Sequence, residues 1–110
     1  MNAAPLAVPV RGRVYWADLG HGEKPWLVVS NNGRNRALGS VLVVRITTTS
    51  TGPDIPTIVP LVPADPLVGR VLCDDLVQVY RDEIRREAGA LSRQTMTRVD
   101  GGLRAALSLL

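Results

Sequence analysis

With 110 residues, the chain is the size of one domain, and its 45% hydrophobic content suffices for a core. Its one cysteine, Cys73, excludes an intrachain disulfide, and one thiol with one histidine cannot complete a tetrahedral zinc site. The formal charge of +3 suits a polyanionic partner such as RNA but does not single one out; of the 13 basic residues only Lys24 is lysine, a bias that arginine-rich coding explains as readily as phosphate binding does.

Residues 1–10 form a mildly apolar stretch broken by Pro5 and Pro9, without a positive leading segment. They are expected to be a flexible arm rather than a signal peptide, followed by a single domain over residues 11–110. No apolar run approaches bilayer-spanning length, so a cytoplasmic protein with no membrane partner is expected. Arg13–Asp18 is rich in β-branched and aromatic residues and predicts a strand. Gly20-His21-Gly22 is a loop, and the continuous apolarity of Pro25–Ser30 predicts a second strand, buried on both faces. Asn31-Asn32-Gly33 is a turn signal, with one helical turn over Arg34–Leu38. Val41–Thr47 is a third strand and Thr48–Pro56 a polar loop. Thr57–Leu61 is a short strand whose proline places it at a sheet edge. After a loop at Pro63–Leu67, Gly69–Cys73 and Leu76–Tyr80 read as two further short strands, and Arg86–Leu91 as another. Ser92 is a helix N-cap. Met96, Val99, Leu103, Ala106, Leu107 and Leu110 then recur at helical spacing, with Gly101 and Gly102 inside the helix. The sum is an α+β, mainly β chain: a small, strongly bent sheet or half-open barrel with a C-terminal helix packed on it.

Several kinds of chemistry have no residues here. There is no Gly-rich phosphate loop with its lysine, no G-x-S-x-G and no H-E-x-x-H. An enzyme built from this chain works with Arg, Lys, Thr, Asp, Glu and one His. That inventory fits cleavage of a phosphodiester by the RNA's own 2′-hydroxyl, which needs proton transfer and charge stabilisation and no cofactor or metal.

Arg11-Gly12-Arg13-Val14-Tyr15-Trp16-Ala17-Asp18-Leu19 resembles the opening strand of MazF/PemK toxins. Lys24-Pro25-Trp26-Leu27-Val28-Val29-Ser30-Asn31-Asn32 is similar to that family's R-P-x-L-V-(V/I)-x-N-(D/N), and Asn35-Arg36 to the N-R that follows. Val43–Thr47, Gly69–Asp74, Leu91-Ser92 and Met96-x-x-Val99 match later segments in order and spacing, so the resemblance runs from Arg11 to Leu109. It implies an SH3-like half-open barrel of the PemK/CcdB type and a homodimer. It implies a toxin of a type II toxin-antitoxin system that cuts single-stranded regions of messenger or transfer RNA, leaving a 2′,3′-cyclic phosphate. It also implies a cognate MazE-like antitoxin whose acidic tail covers the RNA groove. Two departures stand out: lysine replaces the usual arginine before the strand-opening proline, and the first loop is short. The G-x-G-x-K-P of Gly20–Pro25 is similar to an actinobacterial, especially mycobacterial, subset of the family, in some of which transfer RNA is the target.

The resemblance places Lys24 at a catalytic position, where an ammonium stabilises the pentacoordinate phosphorus or donates a proton. Thr47 ends a strand with its hydroxyl available for the scissile phosphate, and Thr48 is the alternative one register on. Asp74, beside Asp75, is a candidate acid or base. His21, in the short loop, has an intrinsic pKa suited to proton transfer near neutrality. Each has a plainer reading: a solvated lysine, a β-propensity threonine, a turn aspartate and an exposed loop histidine. Asn31, Arg34, Arg36 and Arg45 are candidate RNA contacts, or simply parts of a solvated polar face. Tyr15, Trp16 and Trp26 would stack on bases if exposed, but core packing is the default in strands this apolar. Two competing functions remain at this level. A CcdB-like gyrase poison shares the fold, but its end carries a tryptophan that Ala105–Leu110 lacks. A non-catalytic nucleic-acid-binding barrel would require none of Lys24, Thr47 or Asp74.

Overall fold

The structure, a computed structural model, describes residues 7–49 and 52–110. Residues 1–6 of the expected arm and Ser50 and Thr51 of the expected loop lie outside them. In chain order the elements are β1 (Arg13–Asp18), β2 (Glu23–Val28), α1 (Asn32–Ala37), β3 (Ser40–Thr47), β4 (Ile58–Pro60), β5 (Arg70–Tyr80), β6 (Ile84–Ala90) and α2 (Arg93–Leu107), with a 3-10 turn at Arg81–Glu83. All strand pairings are antiparallel. They form one six-stranded sheet in the order β4-β5-β3-β2-β1-β6. The proline-bearing β4 is an edge strand, as expected of a residue without a ladder donor.

The sheet buries both faces. Val14, Leu27, Val44, Ile46, Val71 and Cys73 pack with Val59, Leu91 and Val99 on the side covered by α2. Tyr15, Ala17, Trp26, Val28, Val41, Val43, Val79 and Ile84 form a second cluster on the other side. Successive residues of β1, β2 and β3 alternate between the two, as the pleat demands. This double burial explains the unbroken apolar runs of β2 and β3.

Two sequence expectations are corrected. The two short strands predicted at Gly69–Cys73 and Leu76–Tyr80 are one strand, β5. Its register against β3 jumps from Val44↔Leu76 to Arg45↔Leu72, so Cys73-Asp74-Asp75 bulge out of the pairing. The Asp-Asp pair that read as a break is this bulge. The Asn31–Gly33 turn signal is instead a helix start: Asn31 caps α1 by accepting from the Arg34 N–H at 2.7 Å.

Ser92 caps α2, accepting from the Thr95 N–H at 3.2 Å. The Asp65 carboxylate ties this cap to the preceding loop, accepting from Ser92 N at 2.7 Å, Thr95 Oγ1 at 2.6 Å and Val62 N at 2.8 Å. Of the expected helix stripe, Val99 is buried and Met96 and Leu103 pack against the core, whereas Leu107 and Leu110 are exposed. The last residues of the expected arm pack on the domain: Pro9 is buried, and the Val10 N–H donates to the Tyr15 hydroxyl at 3.1 Å. Among the described residues, no helix is long and apolar enough to cross a membrane.

Candidate active site

The β1–β2 hairpin presents the first candidates. Asp18 Oδ1 accepts from the Gly20 and Gly22 N–H groups at 2.9 and 3.1 Å, which fixes the short loop. Both glycines have positive φ, 110° and 87°, a backbone state that side chains disfavour. His21 stands exposed between them, and Lys24 is exposed on the second residue of β2. Among the described residues Lys24 has no ion-pair partner. Its neighbour Glu23 alternates to the other face, where Arg86 holds it at 2.6 Å. The Arg86 guanidinium also lies over the Trp16 ring, 5.1 Å from its centroid, so that side chain covers part of the ring surface a base would need.

Strand register assembles the rest. Trp26 pairs with Arg45 across β2 and β3. Continuing that register by two residues sets Lys24 opposite Thr47. Across β3 and β5, Arg45 pairs with Leu72 and Thr47 with Arg70. Paired residues share a face, so Lys24, Trp26, Arg45, Thr47 and Arg70 all lie on the face turned away from α2. Thr47 Oγ1 accepts from the Thr49 N–H at 3.2 Å, and Arg70 Nε donates to the Thr49 carbonyl at 3.0 Å. These two bonds brace the turn that carries the exposed Thr48. The result is a cationic end of the sheet with a strand-end hydroxyl in it. Such a place can hold a phosphate and stabilise added negative charge on it.

The other predicted residues are not brought here. Asp74 lies in the bulge, four residues along β5 from Arg70, or about 13 Å of strand. Thr57 Oγ1 donates to its carboxylate. Asn31, Arg34 and Arg36 belong to the α1 end of β2, opposite to the Lys24 end. Asn31 is a cap. Arg34 donates from Nη1 to the Ser40 carbonyl at 2.9 Å and from Nη2 to Ser40 Oγ at 3.3 Å, clamping α1 to β3. Arg36 is exposed on α1. Tyr15 and Trp26 are core residues, each 8% exposed. Arg70 was not picked out from the sequence. Its place opposite Thr47 follows from the β3–β5 register, which no local pattern encodes. Among the described residues, no three of His, Cys, Asp and Glu are grouped so as to hold a metal ion.

Comparison with known proteins agrees with this architecture. Residues 10–107 match the family model of the PemK-like, MazF-like toxins of type II toxin-antitoxin systems. The chain belongs to this family. Two curated relatives of the toxin are Endoribonuclease MazF4 of Mycobacterium tuberculosis and Endoribonuclease MazF1 of Mycobacterium bovis. Each is 46% identical over 104 residues, covering 94% of this chain and 97% of the relative. A solved mycobacterial endoribonuclease in complex with its cognate antitoxin superposes with a TM-score of 0.87 at 44% identity, covering 93% of this toxin and 97% of that chain. A MazE–MazF crystal structure from Deinococcus radiodurans, at 24% identity and a TM-score of 0.81, shares the fold, covering 94% of this chain and 99% of that one.

Proposed function

We propose that this toxin is an endoribonuclease that cuts single-stranded RNA on the Lys24–Thr47 face by attack of the RNA's own 2′-hydroxyl. The observation that carries the reading is the register that sets Lys24, Arg45, Thr47 and Arg70 together on one face. In the reaction the 2′-oxygen bonds to phosphorus and the bond from phosphorus to the 5′-oxygen breaks. The products are a 2′,3′-cyclic phosphate and a 5′-hydroxyl. The proton leaving the 2′-hydroxyl goes to a base, and the 5′-oxygen takes one from an acid. Lys24 and His21, carried by the same hairpin, are the groups at this end that serve those transfers. Asp74, held by Thr57 in the bulge, is given no step. The Thr47 hydroxyl positions the phosphate, while Lys24 and the neighbouring arginines offset the charge that builds in the transition state. Metal is not required by this scheme.

The reading extends to partners and place. A groove of about 730 Å³, lined by Pro9, Tyr15, Tyr80 and Ile84 among others, leaves apolar surface uncovered. Tyr80 is 57% and nearby Leu38 48% exposed. Covering such surface with a second copy supports a homodimer. A cognate antitoxin with an acidic segment fits the cationic end of the sheet. The toxin acts in the cytoplasm, where messenger and transfer RNA are found.

The test is incubation of the purified protein with an RNA pool containing both classes, in excess EDTA, beside a Lys24→Ala variant. Fragments with 2′,3′-cyclic ends, lost in the variant, are expected, and the mapped sites identify the substrate class. Intact RNA from a folded sample would instead favour a gyrase poison or a binding barrel.

A further inference from the structure

The β1–β2 hairpin that carries Lys24 also carries the carboxylates of Asp18 and Glu23, and each is engaged elsewhere. Asp18 Oδ1 accepts from the Gly20 and Gly22 N–H groups. Glu23 Oε1 is bound by Arg86 Nη1 at 2.6 Å. Arg86 stands on β6 and reaches Glu23 across β1. Trp16 is paired with Arg86 on one side and with Pro25 on the other, and the guanidinium lies over its ring. The other acids of the sheet and of the turn before β6 are placed as follows. Glu87 is bound by Arg13, and Glu83 accepts from the Tyr80 N–H. Asp74 accepts from the Thr57 hydroxyl, with Asp75 beside it in the bulge, and Asp82 lines the apolar groove near Tyr15.

Strand alternation alone does not keep Glu23 from Lys24. Their Cα atoms are neighbours, about 3.8 Å apart. Both side chains are exposed on the first two residues of β2. At that spacing a carboxylate not bound elsewhere is drawn to the ammonium. The Arg86–Glu23 pair, exposed on both sides, adds little to stability; its effect lies in where it fixes the charge.

We propose that Arg86 is a positioning residue for RNA cleavage: it holds Glu23 on the Trp16 side of the sheet and so leaves Lys24 free to meet the phosphate. The proposal rests on the ribonuclease reading and goes beyond it, because Arg86 acts through Glu23 and touches neither RNA nor Lys24.

The test is a set of variants of the full chain, read by RNA affinity and by single-turnover cleavage. The binding probe is a short fluorescent RNA spanning the mapped cleavage site, with a 2′-deoxy nucleotide there to prevent cutting. Arg86→Gln keeps a stem over Trp16 and removes the charge. It should lower affinity and rate about fivefold at low salt and reduce the slope of log K against log salt by about one, because Glu23 then occupies a cation that served a phosphate. Glu23→Gln alone should keep wild-type values, and the Glu23→Gln/Arg86→Gln double variant should return to them. In a Lys24→Ala background, Arg86→Gln should weaken binding no further. Arg86→Lys, which keeps the charge, should behave as wild type, and melting curves confirm that each variant is folded. A double variant as weak as Arg86→Gln would overturn the proposal, by showing that Arg86 itself meets the RNA. A loss in Glu23→Gln alone would overturn it as well, by making the ion pair a brace for the hairpin. Wild-type behaviour of folded Arg86→Gln would do the same. Each of these leaves the ribonuclease reading intact, whereas wild-type protein that cuts no RNA would remove the reading and the proposal with it.

Discussion

Gly69 is pressed against Thr47. A Cβ at Gly69 would lie 2.0 Å from the Thr47 carbonyl oxygen and 3.1 Å from the Thr48 Cα, and the residue has φ of 140°. Only glycine satisfies both the contact and the backbone state. Gly69→Ala should therefore push the end of β3 away from β5. The expected cost is about 3 kcal/mol of stability from strain and overpacking together. A displaced Thr47 hydroxyl should also lower kcat on RNA by about 100-fold. Thermal melts and single-turnover cleavage measure the two effects; a variant with wild-type rate would show that Thr47 is not held by this contact.

Adjacent glycines of α2 should respond in opposite directions. A Cβ at Gly101 meets nothing within 4 Å, whereas one at Gly102 would lie 2.7 Å from Cys73 Sγ and 3.3 Å from the Pro56 carbonyl oxygen. Gly101→Ala should stabilise by about 1 kcal/mol, the helix-propensity difference. Gly102→Ala should destabilise by about 2 kcal/mol, because α2 must lift off β5. Denaturant melts decide this. Cys73 reports on the same contact: burial pushes its thiol up to about 11, and the charge of Asp74 adds to the shift. At neutral pH it should resist thiol reagents in the wild type and react faster in Gly102→Ala.

Acid should act on the cap of α2. Burial alone would raise the Asp65 carboxyl. Donation from the Ser92 N–H, the Thr95 hydroxyl and the Val62 N–H outweighs burial and holds it below the usual carboxylate value. A carboxyl lowered in the folded state stabilises the fold above its unfolded pKa, and that contribution fades as pH falls through the folded value. Asp65→Asn should therefore cost stability at pH 7, by about 2 kcal/mol. The difference from wild type should shrink below about pH 4. Parallel stability-against-pH curves for the two proteins would contradict the assignment.

Arg34 and Lys24 should separate cleanly. With its guanidinium clamped on Ser40, Arg34→Ala should lower the melting temperature while leaving the cleavage rate of the folded fraction within a few-fold of wild type. Lys24→Ala, exposed and without an ion-pair partner among the described residues, should do the reverse. Paired melts and rates on the same RNA check both.

Much of this architecture can be read from local pattern, because its causes are local. β1, β2 and β3 follow from β-branched and apolar runs, and α2 from the Ser92 cap with the Met96–Val99–Leu103 spacing. Lys24 and Thr47 come from a resemblance that preserves order and spacing. What escapes the sequence is pairing. Asp74-Asp75 reads as a turn because two adjacent carboxylates seldom sit within a strand. In the fold they occupy a bulge, which takes Asp74 away from Thr47. Arg70 opposite Thr47, and Trp26 opposite Arg45, are facts of register between segments distant in the chain. Arg34 looks like any surface arginine until its partner Ser40 is placed beside it.

The central claim is that the nucleophile belongs to the RNA and that the protein positions it. The most direct measurement compares two synthetic strands, identical except for a single 2′-deoxy nucleotide at the mapped cleavage site. The all-ribose strand should be cut to a 2′,3′-cyclic phosphate and a 5′-hydroxyl, and the substituted strand should remain whole at that bond while still binding. Cutting of the substituted strand at the same bond would show that water or a protein group attacks instead, and would contradict the account.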